Sequence, residues 1–127
     1  EDIFILAGKE TEKMHRIKMD YLQVISGKDV RCVANVGIDI AGEKFEASSS
    51  GNGPVDAAIK AIKQVIRRET VIEEFLIQAI NRGSDDVGKV HMQVEHNGQL
   101  YYGFSANTDI IAASAEAFIN AVNKFVK

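Results

Sequence analysis

The fold is decided by residues 30 to 66, which read VRCVANVGIDIAGEKFEASSSGNGPVDAAIKAIKQVI. In the first part of this stretch, small and apolar residues occupy every second position, which predicts a strand with one face turned towards a core. The positions on that face are Val30, Cys32, Ala34, Val36 and Ile38. Ala41-Gly42 predicts a tight turn, and a short third strand follows it with Phe45 and Ala47 facing the same core. The pattern therefore predicts two strands joined by a tight turn.

A helix is predicted after these strands. Ser48 to Gly53 is made of serine, asparagine and glycine and predicts a loop. Pro54, the only proline, suits a helix start because the first turn of a helix needs no N–H there. Apolar residues then recur at helical spacing, at Val55, Ala58, Ile59, Ile62, Val65 and Ile66. Because a further strand is predicted from Met19 to Ser26, residues 19 to 68 form a βββα unit.

The second half of the chain repeats this order. The predicted elements are strands over residues 71–80, 87–96 and 100–105 and a helix from Asp109 to about Val126. Asn97-Gly98 between the last two strands is a strong hairpin signal. The interval from Ala41-Gly42 to Asn97-Gly98 nearly equals the interval from Asp56 at the first helix opening to Asp109 at the second. Such closely matched spacings indicate an internal duplication.

The predicted fold class is therefore α+β, with two pseudo-repeated βββα units over residues 19–68 and 69–127. Neither unit alone buries its apolar faces, so we expect the two to pack together and share a core. The middle strand of the second unit directs to one face Val90, Met92 and Val94. Residues 1–18 lack this order, and we expect them to be a connector from an upstream region.

Composition narrows the function classes. The 127 residues are 46% hydrophobic, which predicts a packed core. The formal net charge is −3 and no basic stripe is present, which argues against a nucleic-acid partner. No apolar stretch approaches about 18 residues, so no membrane span is predicted. Cys32 is the single cysteine; it has no partner for an internal disulfide, its apolar setting predicts a buried strand position, and it is compatible with a cytoplasmic location.

The residues that commonly carry catalysis do not form a recognisable site. His91 and His96 are five positions apart on one alternating strand, so they point to opposite faces and do not chelate one metal together. Gly51-Asn52-Gly53-Pro54 is glycine-rich before a helix, but it lacks the Gly-Lys-Ser/Thr ending of a phosphate-binding loop. We therefore expect no catalytic residue, metal or cofactor, and keep a small stand-alone enzyme that uses this loop as an alternative.

The two predicted helix openings are the candidate binding sites. Each has unpaired backbone N–H groups and a partial positive charge, and each carries a carboxylate, Asp56 or Asp109. The N–H groups suit the carboxylate of a free amino acid, and an aspartate suits its ammonium. Val55, Ala58 and Ile62 supply one apolar helix face beside the first opening. The alternative is that both aspartates only favour the helix dipole and the apolar face is core.

Several segments resemble the C-terminal allosteric domain of 2-isopropylmalate synthases. They are GNGPVDAA over residues 51–58, TDIIAASAEA over residues 108–117 followed by Asn123, YLQVISG over residues 21–27, and Gly83 with Asp86 and Gly88-Lys89-Val90. The resemblance runs from about Met19 to Val126. The two helix-opening segments together are fairly specific to this family.

The resemblance implies a domain of two βββα units that dimerises and binds a pathway end product at the dimer interface. It implies feedback inhibition by leucine; citramalate synthases, which carry a similar domain that senses isoleucine, are the alternative. Ala58 leaves room for a γ-branched side chain, which favours leucine. The effector-binding residues that the resemblance implies are Gly37, Asp39, Val55, Ala58, Ile62 and Ile72. The helix openings add Asn52, Gly53, Pro54 and Asp109 to the predicted site.

The resemblance also implies that this chain is not itself an enzyme. The catalytic barrel of the family carries an Asp-Arg-Glu opening and a His-x-His metal motif, and neither tripeptide occurs here. The parent protein would be an acyltransferase acting on acetyl-CoA and 2-oxoisovalerate, and its catalytic domain is an expected partner of this domain. A dimerisation domain without an effector site is a further alternative.

The last helix is the predicted dimer surface. Ala113, Ala117 and Ala121 are spaced by four, which permits the close approach of another element. Its other face is expected to expose a strongly apolar set, Phe118, Val122 and Phe125.

Overall fold

The computed structural model describes residues 17–82 and 85–125, and the side chains of this part except those of 79–82 and 85–86. Its elements, numbered along the chain, are β1 (Ile17–Gly27), β2 (Val30–Ile40), β3 (Glu43–Gly51), α1 (Pro54–Ile66), β4 (Val71–Arg82), β5 (Asp85–His96), β6 (Gln99–Asn107) and α2 (Ile110–Val122). The predicted α+β order of two βββα units is confirmed.

The strands form two separate antiparallel sheets, in the orders β1-β2-β3 and β4-β5-β6. The first strand of each sheet is irregular at the same place, between Met19 and Tyr21 in β1 and between Ile72 and Glu74 in β4. The interval along the chain between these irregularities is shorter than the interval between the two helix starts. The second repeat therefore has a few additional residues between the irregularity of its first strand and its helix.

One core joins the two units. The helix α1 packs on β2 and β3, α2 packs on β5 and β6, and the helices contact each other. Side chains from both sheets and both helices meet in one buried cluster, in which the largest are Ile38, Ile62, Met92 and Phe118. The expectation that the units share a core is confirmed, and so is the inward face of β5, where Val90, Met92 and Val94 are buried.

The first described residues belong to the domain and not to a connector. Ile17 is 3% exposed and opens β1. Its N–H donates to Oδ1 of Asn123 at 2.8 Å, and Nδ2 of Asn123 donates to its carbonyl at 3.0 Å. The side chain of Asn123 thus holds the start of β1 as a neighbouring strand would. The rest of the predicted connector, residues 1–16, lies outside the described residues.

Two element boundaries differ from the prediction. The strand β3 continues through Ser48–Ser50 to Gly51, where a loop was predicted, because β2 pairs with it along that whole length. Ser48 also finds a polar partner on β2, since its hydroxyl donates to Asn35. The helix α2 ends at Val122, about four residues before the predicted end, and a tight turn follows it.

The inward face of the first hairpin is buried only in its middle. Ala34, Val36 and Ile38 are inaccessible to solvent, as predicted. Val30 is 57% exposed and Cys32 only half-buried, so the prediction of a buried cysteine is wrong. Phe45 at the opposite end of the hairpin is 39% exposed. The core does not extend to the two ends of the hairpin. Alternation along a strand shows which residues share a face, but it does not show how far along the strand other elements cover that face.

The predicted exposed face of the last helix is wrong. Phe118 and Val122 are inaccessible to solvent, and both belong to the shared core. The alanine stripe does permit a close approach, but by β6 of the same chain. A Cβ atom at Gly103 would lie 2.0 Å from the carbonyl oxygen of Ala117 and 2.8 Å from the backbone nitrogen of Ala121.

Candidate functional site

The opening of α1 lies where β3 runs directly into the helix. A Cβ atom at Gly51 would lie 2.5 Å from the backbone nitrogen of Ala57 and 2.7 Å from Oδ2 of Asp56. Such distances exclude every side chain. Gly51 therefore lets the end of the strand touch the first turn of the helix.

Asp56 holds the short loop that links strand and helix. Its Oδ2 accepts the Asn52 N–H at 2.9 Å and lies 3.2 Å from Nζ of Lys60, one turn further along α1. The hydrogen bond from Asn52, aided by the charge of Lys60, holds the pKa of Asp56 below its ordinary value. The carboxylate is therefore ionised at neutral pH. Both contacts use Oδ2, which leaves Oδ1 for another donor.

The N-terminal N–H groups of α1 are not capped by a side chain of the described chain. The N-cap residue is Gly53, in extended conformation, and the next residue, Pro54, has no N–H. The N–H groups of Val55 and Asp56 have no partner within the helix, because helical hydrogen bonding begins one residue later, from Ala57 to the Gly53 carbonyl at 2.9 Å. Apart from Gly53 and its two chain neighbours, no atom lies within 4 Å of the position of a Cβ on Gly53, so space is open at this end of the helix.

The opening of α2 is closed by its own residues. Oδ1 of Asp109 accepts from the N–H of Ile111 at 2.9 Å and of Ala112 at 3.3 Å. The N–H of Asp109 in turn donates to Oδ1 of Asn107 at 2.9 Å. Asp109 is thus an N-cap, and it satisfies the donors that an external carboxylate would need. The two predicted openings are not equivalent, because within residues 17–82 and 85–125 only that of α1 lacks a side-chain cap.

The apolar face predicted beside the α1 opening is mostly core. Ala58 and Ile62 are inaccessible to solvent, whereas Val55 is half-buried at the opening itself. Ala58 packs with Ala34 and Ala57 in a small buried cluster against the sheet. In this conformation only Val55 of the three presents an apolar surface to a ligand.

Gly37 and Asp39 lie on the other face of the first sheet. Val36 and Ile38 point into the core, so Gly37 and Asp39 face away from α1. The ring of Tyr21 covers Gly37, since a Cβ there would lie 2.3 Å from its Cε2.

They are also distant along the sheet. Gly37 is five residues along β2 from Cys32, the partner of Gly51, which corresponds to roughly 17 Å. Asp39 is occupied by local contacts, with Nζ of Lys44 at 3.0 Å and the N–H of Gly42 at 2.8 Å. One copy of the chain therefore does not bring Gly37 and Asp39 to the α1 opening.

The remaining predicted site residues are divided in the same way. Asn52, Gly53, Pro54 and Val55 form the α1 opening, while Asp109 caps the other helix. Ile72 is half-buried on β4 and packs against the shared core. Reasoning from the sequence missed Gly51 and Lys60 at the opening. The spacing of Asp56 and Lys60, four apart on a helix, was a usable signal, whereas nothing marked Gly51 apart from other loop glycines.

The two described histidines lie apart on the second sheet. His91 lies against Tyr102 and Phe104 on one face of the second sheet, and His96 stacks on Phe125 at 4.1 Å on the other. Their predicted separation is thus confirmed; His15 lies outside the described residues. In the part of the chain that the structure describes, three metal-ligating side chains do not come together anywhere. None of the described helices is long and apolar enough to cross a membrane.

Comparison with known proteins identifies the family. A family model described as the LeuA allosteric (dimerisation) domain matches residues 1–126. The chain belongs to this family. The LeuA domain match covers both βββα units, and it confirms the resemblance inferred from the two helix-opening segments.

Curated relatives of the LeuA domain are named 2-isopropylmalate synthase. Identity is 58% over 127 residues in Parabacteroides distasonis, 38% over 127 residues in Heliobacterium modesticaldum and 42% over 108 residues in Trichodesmium erythraeum. The first two alignments cover 99% of this chain and the third covers 84%. They cover 25%, 25% and 20% of the relatives, so the chain spans about a quarter of their length.

Proposed function

We propose that this chain is the regulatory domain of a 2-isopropylmalate synthase, which binds leucine for feedback inhibition and dimerises. The observation that carries the proposal is the α1 opening, where the donors of Val55 and Asp56 are uncapped beside an ionised carboxylate. The corresponding donors of α2 are occupied by Asp109. The family description, an allosteric and dimerisation domain, supports both parts of the proposal.

The proposed ligand geometry follows from these groups. The leucine carboxylate accepts from the N–H groups of Val55 and Asp56 at the positive end of the helix dipole. Its ammonium meets Oδ1 of Asp56, the oxygen that the contacts with Asn52 and Lys60 leave free. The open space beside Gly53 admits the ligand backbone.

The leucine side chain packs on Val55 in this proposal. Ala58 and Ile62 are buried and do not contact the ligand; they determine how closely α1 lies on the sheet. Gly37 and Asp39 join the site only when a second copy brings the outer face of its sheet to this opening, and Asp109 acts by fixing α2. Such a site would include the dimer interface, so binding and assembly would be linked.

For the parent protein we propose a cytoplasmic acyltransferase that joins acetyl-CoA to 2-oxoisovalerate on a catalytic domain outside this chain. The names of the relatives support this, as does the quarter of their length that the chain spans. The regulatory domain would then have no synthase activity of its own. A synthase assay on the chain alone checks this point, and turnover above a buffer blank would contradict it.

Thermal melts with leucine, isoleucine, valine and lysine at equal concentration test the proposal. A ligand at a hundred times its dissociation constant stabilises the fold by roughly 2.7 kcal/mol, which gives a clear rise in Tm at fixed protein concentration. We expect leucine to give the largest shift. An apolar pocket separates such isomers by about 1–3 kcal/mol, so isoleucine should give a smaller shift. Lysine is the control, because it has the same α-ammonium and α-carboxylate groups as leucine but a side chain that does not match an apolar pocket.

Two outcomes favour the alternatives. A larger shift with isoleucine would assign the domain to a citramalate synthase, because the same opening would then select the β-branched isomer. A Tm that none of the four amino acids changes would leave a domain that only assembles the enzyme.

A further inference from the structure

Neither of the two described helices lies over the inner face of the strand β4. Its packing contacts are with β5, whereas α2 covers β5 and β6. Phe75 and Ile77 lie opposite Met92 and Val90 on the face that continues the core. Met92 and Val90 are 1% and 0% exposed, but Phe75 and Ile77 are 42% and 44% exposed. The apolar face of the second sheet thus extends beyond its helix onto an uncovered strand.

The first unit covers the same positions with its own residues. Counted from the shared strand irregularity, Leu22 and Val24 of β1 correspond to Phe75 and Ile77 of β4. Leu22 and Val24 are half-buried and pack against a cluster that includes Ala57 of α1. The second unit therefore exposes a surface that the first unit buries, although the two share a topology.

The exposed surface also reaches the edge of the sheet. β4 is an outermost strand, and Leu76, on its other face, is 54% exposed. Phe75-Leu76-Ile77 is thus a run of three exposed large apolar residues on an edge strand, without a charge or a proline inside it. Edges of this kind pair with another chain unless something covers them. The charges of β4 that the structure describes, Glu73 and Glu74, precede the run.

We propose that a second copy of this chain covers β4, with the two β4 strands paired antiparallel about a two-fold axis at Leu76. The inference rests on the dimerisation of the proposed function and adds a pairing surface on the second unit, separate from the contact proposed between the α1 opening and the partner's first sheet. The family description of a dimerisation domain is the reason to choose a second copy over another partner. A two-fold axis requires that one surface match itself.

The sequence of β4 meets this requirement. With Leu76 opposite Leu76, antiparallel pairing places Phe75 of each copy opposite Ile77 of the other, on the inner face. Glu74 then lies opposite Gln78, so no like charges oppose each other there. The two inner faces join into one apolar surface on a six-stranded sheet. Moving the axis to Phe75 would instead place Glu74 opposite Leu76.

The first test removes the apolar surface. The variants are Phe75→Glu and Ile77→Glu, with Leu100→Glu as the matched control, because Leu100 is 57% exposed on the outer face of the distant strand β6. Sedimentation of the wild-type chain at tens of micromolar should show a dimer. We expect each β4 variant to raise the dimer dissociation constant at least a hundredfold and the control to leave it unchanged. Circular dichroism confirms that each variant is folded.

The second test reads the pairing itself. Leu76→Cys is made in a Cys32→Ser background, so that the chain has one thiol. Opposed residues of an antiparallel pair have Cα atoms about 4.5–5.5 Å apart, within the range that a disulfide spans. We expect mild oxidation of dilute protein to give a covalent dimer, much faster than with Leu100→Cys in the same background.

The outcomes separate this inference from the proposed function. A wild-type dimer that survives Phe75→Glu, or in which Leu76→Cys crosslinks no faster than Leu100→Cys, overturns the β4 surface. That result leaves a dimeric, leucine-binding domain possible through another face, and the melts with leucine report on binding independently. A wild-type chain that is a monomer at tens of micromolar overturns both the surface and the dimer.

Discussion

The two βββα units fold alike but begin their helices differently. α1 starts at Gly53 without a side-chain cap, whereas α2 starts at Asp109, which accepts hydrogen bonds from two N–H groups of its first turn. The interval between these N-cap positions equals the interval between the turns Ala41-Gly42 and Asn97-Gly98. Asp56 and Asp109 are therefore not equivalent positions of the two repeats, although their spacing in the sequence suggests that they are. The two units keep the same fold, but among the described residues only the first unit has no side-chain cap on its helix donors.

The units also differ in how closely each helix approaches its sheet. Ala47 on β3 pairs with Val36, and the corresponding residue on β6 is Gly103, which pairs with Met92. At Gly103 the backbone of α2 fills the place of a side chain, while the first unit has room for a methyl group. The backbone of α2 therefore lies closer to its sheet at this position than the backbone of α1 does at Ala47.

The largest effect should come from adding that methyl group to the second unit. Gly103→Ala places a Cβ 2.0 Å from the Ala117 carbonyl oxygen, so α2 has to move off the sheet. Overpacking of this kind costs about 1–3 kcal/mol of unfolding free energy, and backbone contacts place this case near the upper end. The matched change in the first unit, Ala47→Gly, should cost only about 0.5–1 kcal/mol. Urea unfolding of both variants checks the order, and an equal loss would show that the helices approach their sheets equally.

Features of the fold that depend on the periodic pattern of the sequence could be predicted, whereas features that depend on neighbouring elements in space could not. Alternation located Ala34, Val36 and Ile38 correctly, since one buried face leaves a period of two. The prediction that Phe118 is exposed was wrong, because helical spacing shows that a helix face is apolar but does not show which element covers it. The candidate site was predicted in part: residues 52–55 share the opening, but Gly37 lies on the opposite side of the sheet, which spacing along the chain does not reveal.

A smaller effect is expected from removing the cap of α2. Asp109→Ala leaves the N–H groups of Ile111 and Ala112 without their acceptor, which costs about 1 kcal/mol of unfolding free energy. Asp109→Asn keeps an acceptor and should be nearly neutral. Leucine affinity should change little in Asp109→Asn, because Asp109 is engaged with its own helix. A large loss of leucine binding by the folded Asp109→Asn variant would show that Asp109 belongs to the effector site and that the two helix openings are equivalent.

Giving α1 the cap that it lacks should separate stability from binding. Gly53→Ser introduces an acceptor for the N–H groups of the first turn, and a Cβ at this position meets no atom beyond its chain neighbours within 4 Å. We expect a gain of a few tenths of a kcal/mol in unfolding free energy, since serine caps a helix slightly better than glycine. The same hydroxyl should compete with the leucine carboxylate and weaken binding. Calorimetry with leucine measures the second effect. A variant that is stabilised and binds leucine as tightly as the wild type would exclude the α1 donors from the site.

The smallest effect concerns the charge of Asp56 and appears only in acid. Its folded-state pKa lies below the ordinary value of 3.8, first because Asn52 donates a backbone hydrogen bond to the carboxylate. The unfolded chain then binds the proton more readily than the folded chain, so this contribution to stability is present above pH 3.8 and is lost as pH falls through the folded pKa. Asp56→Asn keeps an acceptor without a charge. We therefore expect the wild type to be more stable than this variant at pH 7, with a gap that narrows below pH 4 in urea titrations. Lys60→Met is the control: because the Asn52 hydrogen bond is the larger cause, most of the narrowing should remain in that background. A gap that stays constant with pH would mean that the loop before α1 is held without the charge of Asp56, and the ammonium contact proposed for leucine would lose its basis.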